Sequence, residues 1–172
     1  MEIHLATEQD AEEISALVNS GYRGDYSRQG WTSEVDLLGG TRIDAHELRQ
    51  VMQRESTMVL KGVENGKIIA CVELAVHYDK LYLGMLTVEP TLQSKGIGKQ
   101  MIAAADKMAK EKKCRSVYMT VISERSELIA WYGRHGFQPT GEERPFNITN
   151  PGFGLARKPL KFIVLEKPLS DR

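Results

Sequence analysis

Only two cysteines occur in 172 residues, Cys71 and Cys114, far apart and each within an apolar, strand-like stretch. That excludes a disulfide framework and a paired redox motif, and points to buried free thiols. The four histidines, His4, His46, His77 and His135, share no ligand spacing with one another or with either cysteine, so no metal site is expected. Net charge is also missing. The 23 basic and 23 acidic residues cancel, so no global field recruits nucleic acid or an anionic membrane. No apolar run reaches the roughly 18 residues that a bilayer-spanning helix needs. The N-terminus lacks the charged-then-apolar order of a secretory signal. A reducing, cytoplasmic setting is the expectation.

What is present is an ordinary globular mixture, 41% hydrophobic and 27% charged, enough to bury one core over residues 1–172 as a single domain. No internal repeat, low-complexity tract or linker divides it. Glu2 to Ala6 reads as a first strand. Thr7 with Asp10 then opens a helix whose stripe is Ile14, Leu17 and Val18. Glycine-punctuated sequence runs from Asn19 to Asp44, and a short helix follows over Ala45 to Glu55. Thr57 to Val63 and Ile68 to Val76 form a hairpin about Asn65-Gly66, the strongest short hairpin signal. Leu81 to Val88 is a third strand, Gly96 to about Lys113 a helix, and Ser116 to Ile122 a strand. A helix from about Ser126 to Arg134 stops at Gly136, and Phe137 begins another strand. A Pro/Gly/Asn-rich loop spans Pro145 to Pro159, and Leu160 to Leu165 closes the chain. The order is that of an α+β fold with one mixed sheet flanked by helices.

The passage from Met85 to Gln100 is the most informative. An apolar strand meets Pro90, then Gln93-Ser94-Lys95-Gly96-Ile97-Gly98, then the long helix. Two glycines remove Cβ where backbone must approach something bulky, and the helix start leaves N–H groups without partners at the positive end of the dipole. That combination seats a pyrophosphate. A dinucleotide fingerprint needs Gly or Ala three residues after Gly98, where the chain has Met101. A Walker loop needs an earlier glycine and a Ser or Thr after its lysine, where the chain has Gln93 and Gln100.

The Gln-x-x-Gly-x-Gly passage resembles the pyrophosphate loop of the GNAT superfamily of acetyl-CoA-dependent N-acetyltransferases. The element order is also similar to that family's, from about Ile3 to Lys167. The resemblance implies the GNAT fold, with a central mixed, mostly antiparallel sheet. It implies that Leu86, Thr87 and Val88 pair with the pantetheine arm of acetyl-CoA, and that Gln93, Ser94, Lys95, Gly96, Ile97, Gly98 and Lys99 hold the pyrophosphate. A second passage, Leu128 to Phe137, resembles the family helix that carries a tyrosine four residues before Gly-Phe. It assigns Tyr132 as general acid to the departing thiolate. A tyrosine on an amphipathic helix is otherwise a core residue with its hydroxyl satisfied.

Two positions depart from the family pattern. Many relatives have an asparagine where this chain has Arg125, so Ser126 or the Arg125 backbone is expected to take over pantetheine contacts. Some relatives place a glutamate base on the strand before the loop, and the matching residue is Tyr82. The base stays unassigned, with Glu73, His77 or a water chain open.

The acceptor pocket is expected under the segment from Tyr22 to Arg42, with Tyr26, Trp31, Thr32 and Glu34 as substrate-binding residues. Asp25, Glu34 and Asp36 suit a cationic amine; Arg23, Arg28 and Arg42 suit a carboxylate. The expected activity is acetyl transfer to the primary amine of a small molecule by direct attack, with no nucleic-acid or membrane partner and room for a homodimer. The rival is a catalytically silent acyl-CoA-binding sensor or partner-binding module.

Overall fold

The structure, a computed structural model, describes residues 1–23, 25–34, 38–39, 42–145, 155–156 and 160–170. Nine strands occur among these residues: β1 (Glu2–Leu5), β2 (Leu38–Gly39), β3 (Thr57–Glu64), β4 (Lys67–His77), β5 (Lys80–Val88), β6 (Ser116–Ile122), β7 (Gln138–Pro145), β8 (Leu155–Ala156) and β9 (Lys161–Pro168). The helices are α1 (Ala11–Tyr22), α2 (Ala45–Gln53), α3 (Ile97–Glu111) and α4 (Ser126–Arg134). Seven strands form one sheet in the order β1-β3-β4-β5-β6-β9-β7. Every pairing in it is antiparallel except that of β5 with β6. This is the mixed, mostly antiparallel sheet flanked by helices that the sequence led us to expect. Among the described residues no helix is long and apolar enough to cross a membrane.

Local chemistry accounts for the boundaries. The β3–β4 hairpin turns on Asn65 and Gly66, with φ of 53° and 75°, the left-handed pair a tight primed turn requires. The first helix starts later than expected, because Glu8–Asp10 forms a 3-10 turn that the Asp10 carboxylate closes by accepting from the Thr7 N–H at 2.9 Å. Helix α3 buries Met101, Ile102, Ala105 and Ala109, each no more than 3% exposed, against one face of the sheet. Helices α1 and α2 cover the other face through Ile14, Leu17, Val18, Leu48 and Val51. Both cysteines are buried and free, and burial pushes the Cys71 thiol up to about 12. It behaves as a small apolar side chain rather than a nucleophile.

Two irregularities open the sheet. First, β5 pairs with β6 only over Lys80–Tyr82 and Ser116–Tyr118, so the two strands part beyond that point. Second, the β4–β5 register shifts between Cys71 and Glu73, and Met85 sits there with φ of 58°. This β-bulge breaks the two-residue alternation of faces. Leu81 and Leu83 pack on the α3 side, Met85 joins the α1–α2 core, and Leu86 and Val88 return to the α3 side. The end of β5 is thus re-aimed into the gap.

The two-residue pair β2–β8 joins two segments read as loops from the sequence. Its strands are too short to leave a periodic signal. Asp36 and most of the Pro145–Pro159 loop lie outside the described residues.

Candidate active site

A cleft of about 500 Å³ occupies the gap between β5 and β6. One wall is the end of β5, with Leu86, Thr87 and Val88; the floor is Gln93, Ser94 and Gly96 to Lys99. Helix α4 supplies Leu128, Trp131 and Tyr132, and Trp31 and Thr32 close the top. Of the residues expected to meet the cofactor, Lys95 and Ser126 are not on this surface; the others are.

Backbone geometry prepares the floor. Gly96 caps α3 in the left-handed region with φ of 83°, and Ser94 precedes it at 67°. The Gln100 N–H is the one that reaches the Gly96 carbonyl, at 3.1 Å. The amides of Ile97, Gly98 and Lys99 therefore precede the first intrahelical bond and are suited to an anion, with the helix dipole behind them. A Cβ on Gly98 would lie 3.2 Å from the Trp131 ring, so glycine keeps this floor open beneath an aromatic lid.

Gln93 is not aimed at the cleft as a simple ligand. Its Nε2 donates to the Val88 carbonyl at 3.1 Å and its Oε1 accepts from the Trp31 N–H at 2.9 Å. A Cβ on Gly30 would stand 2.2 Å from that oxygen, so glycine is required for the contact. The Tyr22 hydroxyl donates to the Leu86 carbonyl at 2.9 Å. Both side chains thus engage backbone carbonyls of the β5 edge, a role the sequence motif did not disclose for either.

Tyr132 stands where the large cleft meets a smaller cavity of about 60 Å³. The spacing to Gly-Phe is a helix stop: Gly136 adopts φ of 95°, and the His135 and Phe137 N–H groups both return to the Tyr132 carbonyl, at 2.9 and 3.1 Å. Phe137, 1% exposed, meets the Tyr132 ring edge-on at 5.7 Å. Burial, with Tyr22 adding to it, pushes the Tyr132 phenol far up, against the opposing charge of Arg125. It is a neutral hydroxyl at pH 7, a donor rather than a base.

The smaller cavity is lined by Tyr22, Glu34, Arg42, Tyr82, Thr120 and Phe162, among others. Here the expected role of Glu34 meets a competing fact. Its carboxylate is buried and accepts from Arg23 Nη1 on one oxygen and from Arg125 Nη1, at 2.9 Å, on the other. Arg125 Nη2 also donates to the Thr32 hydroxyl at 2.6 Å, which in turn donates to Glu127 at 2.9 Å. Glu34 and Thr32 are therefore tied into a lock between the Tyr22–Arg42 segment and the start of α4. The residue in place of the family asparagine closes that lock. Tyr26 is exposed and hydrogen-bonds Glu89, outside both cavities. Burial acts to raise the Glu89 carboxyl, but hydrogen bonds from Thr91 and Tyr26 outweigh it and hold it below the usual range. Trp31, 40% exposed, packs on Trp131 with centroids 6.2 Å apart. Trp131 and Tyr22 are the contributors that motif reading passed over, though both lie within stretches it quoted. His77 is exposed and meets the Tyr78 ring edge-on, away from the cleft.

A family model described as the acetyltransferase (GNAT) family matches residues 28–137. No curated protein matches the chain. Among solved structures, a ribosomal-protein-alanine N-acetyltransferase from Brucella melitensis is similar, with a TM-score of 0.72 at 18% identity over 98% of this chain and 100% of the other. An N-acetyltransferase from Staphylococcus aureus gives 0.69 at 16% identity over 98% of each chain. A candidate streptothricin acetyltransferase from Bacillus anthracis, solved with acetyl coenzyme A, gives 0.59 at 16% identity over 70% of this chain and 66% of the other. At such identities the likeness is one of fold.

Proposed function

The chain belongs to the GNAT family of acetyltransferases, and from that premise we propose that it acetylates the primary amine of a small molecule by direct attack on acetyl-CoA. The observation that carries this reading is one continuous cleft joining an anion-ready helix start, a strand edge parted from its neighbour and the neutral phenol of Tyr132. The residues fit the cosubstrate: the amides of Ile97 to Lys99 suit its pyrophosphate, and the edge of Leu86 to Val88 suits its pantetheine arm. Acetyl-CoA supplies an activated thioester. The chain supplies a proton at the Tyr132 oxygen for the departing sulfur, and a dry wall of Leu128 and Trp131 that excludes water. The acceptor belongs in the smaller cavity beyond Tyr132. Its 60 Å³ scale and aromatic walls favour a small amine over a protein terminus.

Release of free CoA thiol from acetyl-CoA, measured across a panel of small amines, tests this reading and separates it from a silent binder. Turnover of at least one amine is expected. Tight acetyl-CoA binding with no release for any amine would leave the binding module as the better description.

A further inference from the structure

The position that would carry a glutamate base in some relatives holds Tyr82, and its surroundings on the sheet are specific. Tyr82 lines the acceptor cavity. Its hydroxyl leans over Gly84, where an added Cβ would meet that oxygen at 2.6 Å. Gly84 is the direct cross-strand neighbour of Glu73 on β4. Tyr82, Gly84 and Glu73 thus share one face, with the phenol between the cavity and the carboxylate. Glu73 is half-buried and makes no hydrogen bond or ion pair among the described residues. A half-buried carboxylate with no hydrogen-bond partner is free to accept and release a proton.

We propose that Tyr82 and Glu73 form the proton exit for the acceptor amine, an inference that rests on the transferase reading above. The acceptor ammonium gives one N–H proton to the Tyr82 oxygen while Tyr82 passes its own proton to the Glu73 carboxylate, directly or through one water. The electron pair stays on nitrogen, which forms the C–N bond as the C–S bond breaks. The sulfur takes the Tyr132 proton, and the nitrogen returns one to Tyr132. Glu73 then releases its proton to solvent. Tyr82 touches the acceptor; Glu73 acts through it and is a positioning residue.

The electrostatics agree with this role. Burial raises the Glu73 carboxyl above its ordinary value, opposed by Arg42 and Arg54. Burial, then the charge of Glu73, raises the Tyr82 phenol and Tyr118 adds to it, while Arg42 and a hydrogen bond with Thr120 lower it. Arg42 and Arg54 from the α2 side, Tyr118 from β6 and Tyr132 from α4 are the charged and titratable groups that act on the pair among the described residues. A base shifted toward neutrality is better matched to work near pH 7.

The test uses two probe amines with acetyl-CoA: ethylamine, protonated at pH 7, and trifluoroethylamine, largely neutral there. For ethylamine, Glu73→Gln and Tyr82→Phe should each lower kcat/KM by about 10²-fold at pH 7. The deficit should shrink as pH rises, and should be small throughout for trifluoroethylamine. The double variant should be no worse than either single one, because both act in one relay. A melt of Glu73→Gln gives a readout independent of turnover. With the folded carboxyl raised, wild type is destabilised as pH rises through that value. The variant should therefore melt higher at pH 7, and its advantage should vanish below the ordinary carboxylate range. Losses that are uniform across pH and amines, additive in the double variant, or absent, would overturn the relay. Wild type that turns over neither amine would count against the small-amine reading, and the relay would fall with it.

Discussion

The two halves of the cleft are built from different materials. The half we assign to the cofactor is backbone: amides at the start of α3, the re-aimed edge of β5, and glycines that keep side chains away. The half we assign to the acceptor is side chain: a buried Arg23–Glu34–Arg125 lock, aromatic walls, and hydroxyls from Tyr22, Tyr82 and Thr120. A backbone site depends on conformation, which few residue types supply, and so tolerates little change at its glycines. A side-chain site can be re-lined while the scaffold stays put. That difference explains how one fold serves many acceptors with one cosubstrate.

The largest effect should come where the halves meet. Tyr132→Phe is expected to lower kcat by about 10²- to 10⁴-fold, with acetyl-CoA affinity nearly unchanged because the ring still packs on Phe137. Steady-state kinetics with any accepted amine measures it; near-normal turnover across pH would make Tyr132 a packing residue.

Next is the lock. Glu34→Gln leaves Arg23 and Arg125 buried against a neutral group, and removing one member of a buried ion set costs about 3–5 kcal/mol. Denaturant unfolding should show that loss, and Glu34→Gln combined with Arg125→Met should recover part of it. A variant of normal stability that merely loses cationic acceptors would restore Glu34 to the substrate-binding role read from the sequence.

On the cofactor side, a ligand at about a hundred times its dissociation constant stabilises the folded state by roughly 2.7 kcal/mol. Gly98→Asp should abolish the melting shift given by CoA, since its side chain enters between Trp131 and the helix start with a negative charge. A full CoA response in the folded variant would disprove the floor assignment.

The smallest effect is expected from Gln93→Ala, about 0.5–1.5 kcal/mol for each hydrogen bond lost. It should loosen the segment around Trp31, so that trypsin cleaves faster at Arg23 or Arg28 in the free protein. Unchanged cleavage would show that Trp131 and Arg125 hold the segment without Gln93.

Legibility followed the same divide. Gly96, Gly98 and Gly136 are conspicuous because a left-handed or crowded backbone position leaves few other choices, and the motifs around them could be read directly. The strand order beyond β3, β4 and β5 came with the family likeness rather than from periodicity. The bulge at Met85 was invisible, because methionine does not announce a positive φ. The lock was not foreseen for a related reason: Glu34 and Arg125 are 91 residues apart, and an acidic residue in a polar loop gives no sign of its partner. The β2–β8 pair had no chance of detection at two residues per strand.

The amide of Trp31 and the carbonyl of Val88 share a single side chain, Gln93. Whatever competes for Val88 at one end of that bridge changes the freedom of Trp31 at the other. Any coupling free energy carried this way is the same measured from either ligand. An acceptor that binds better to the acetyl-CoA-loaded protein must, by the same factor, raise the affinity of the protein for acetyl-CoA. Titrating CoA and an acceptor amine, each in the presence of the other, in wild type and in Gln93→Ala would read the contribution of one glutamine as a difference between two affinity ratios.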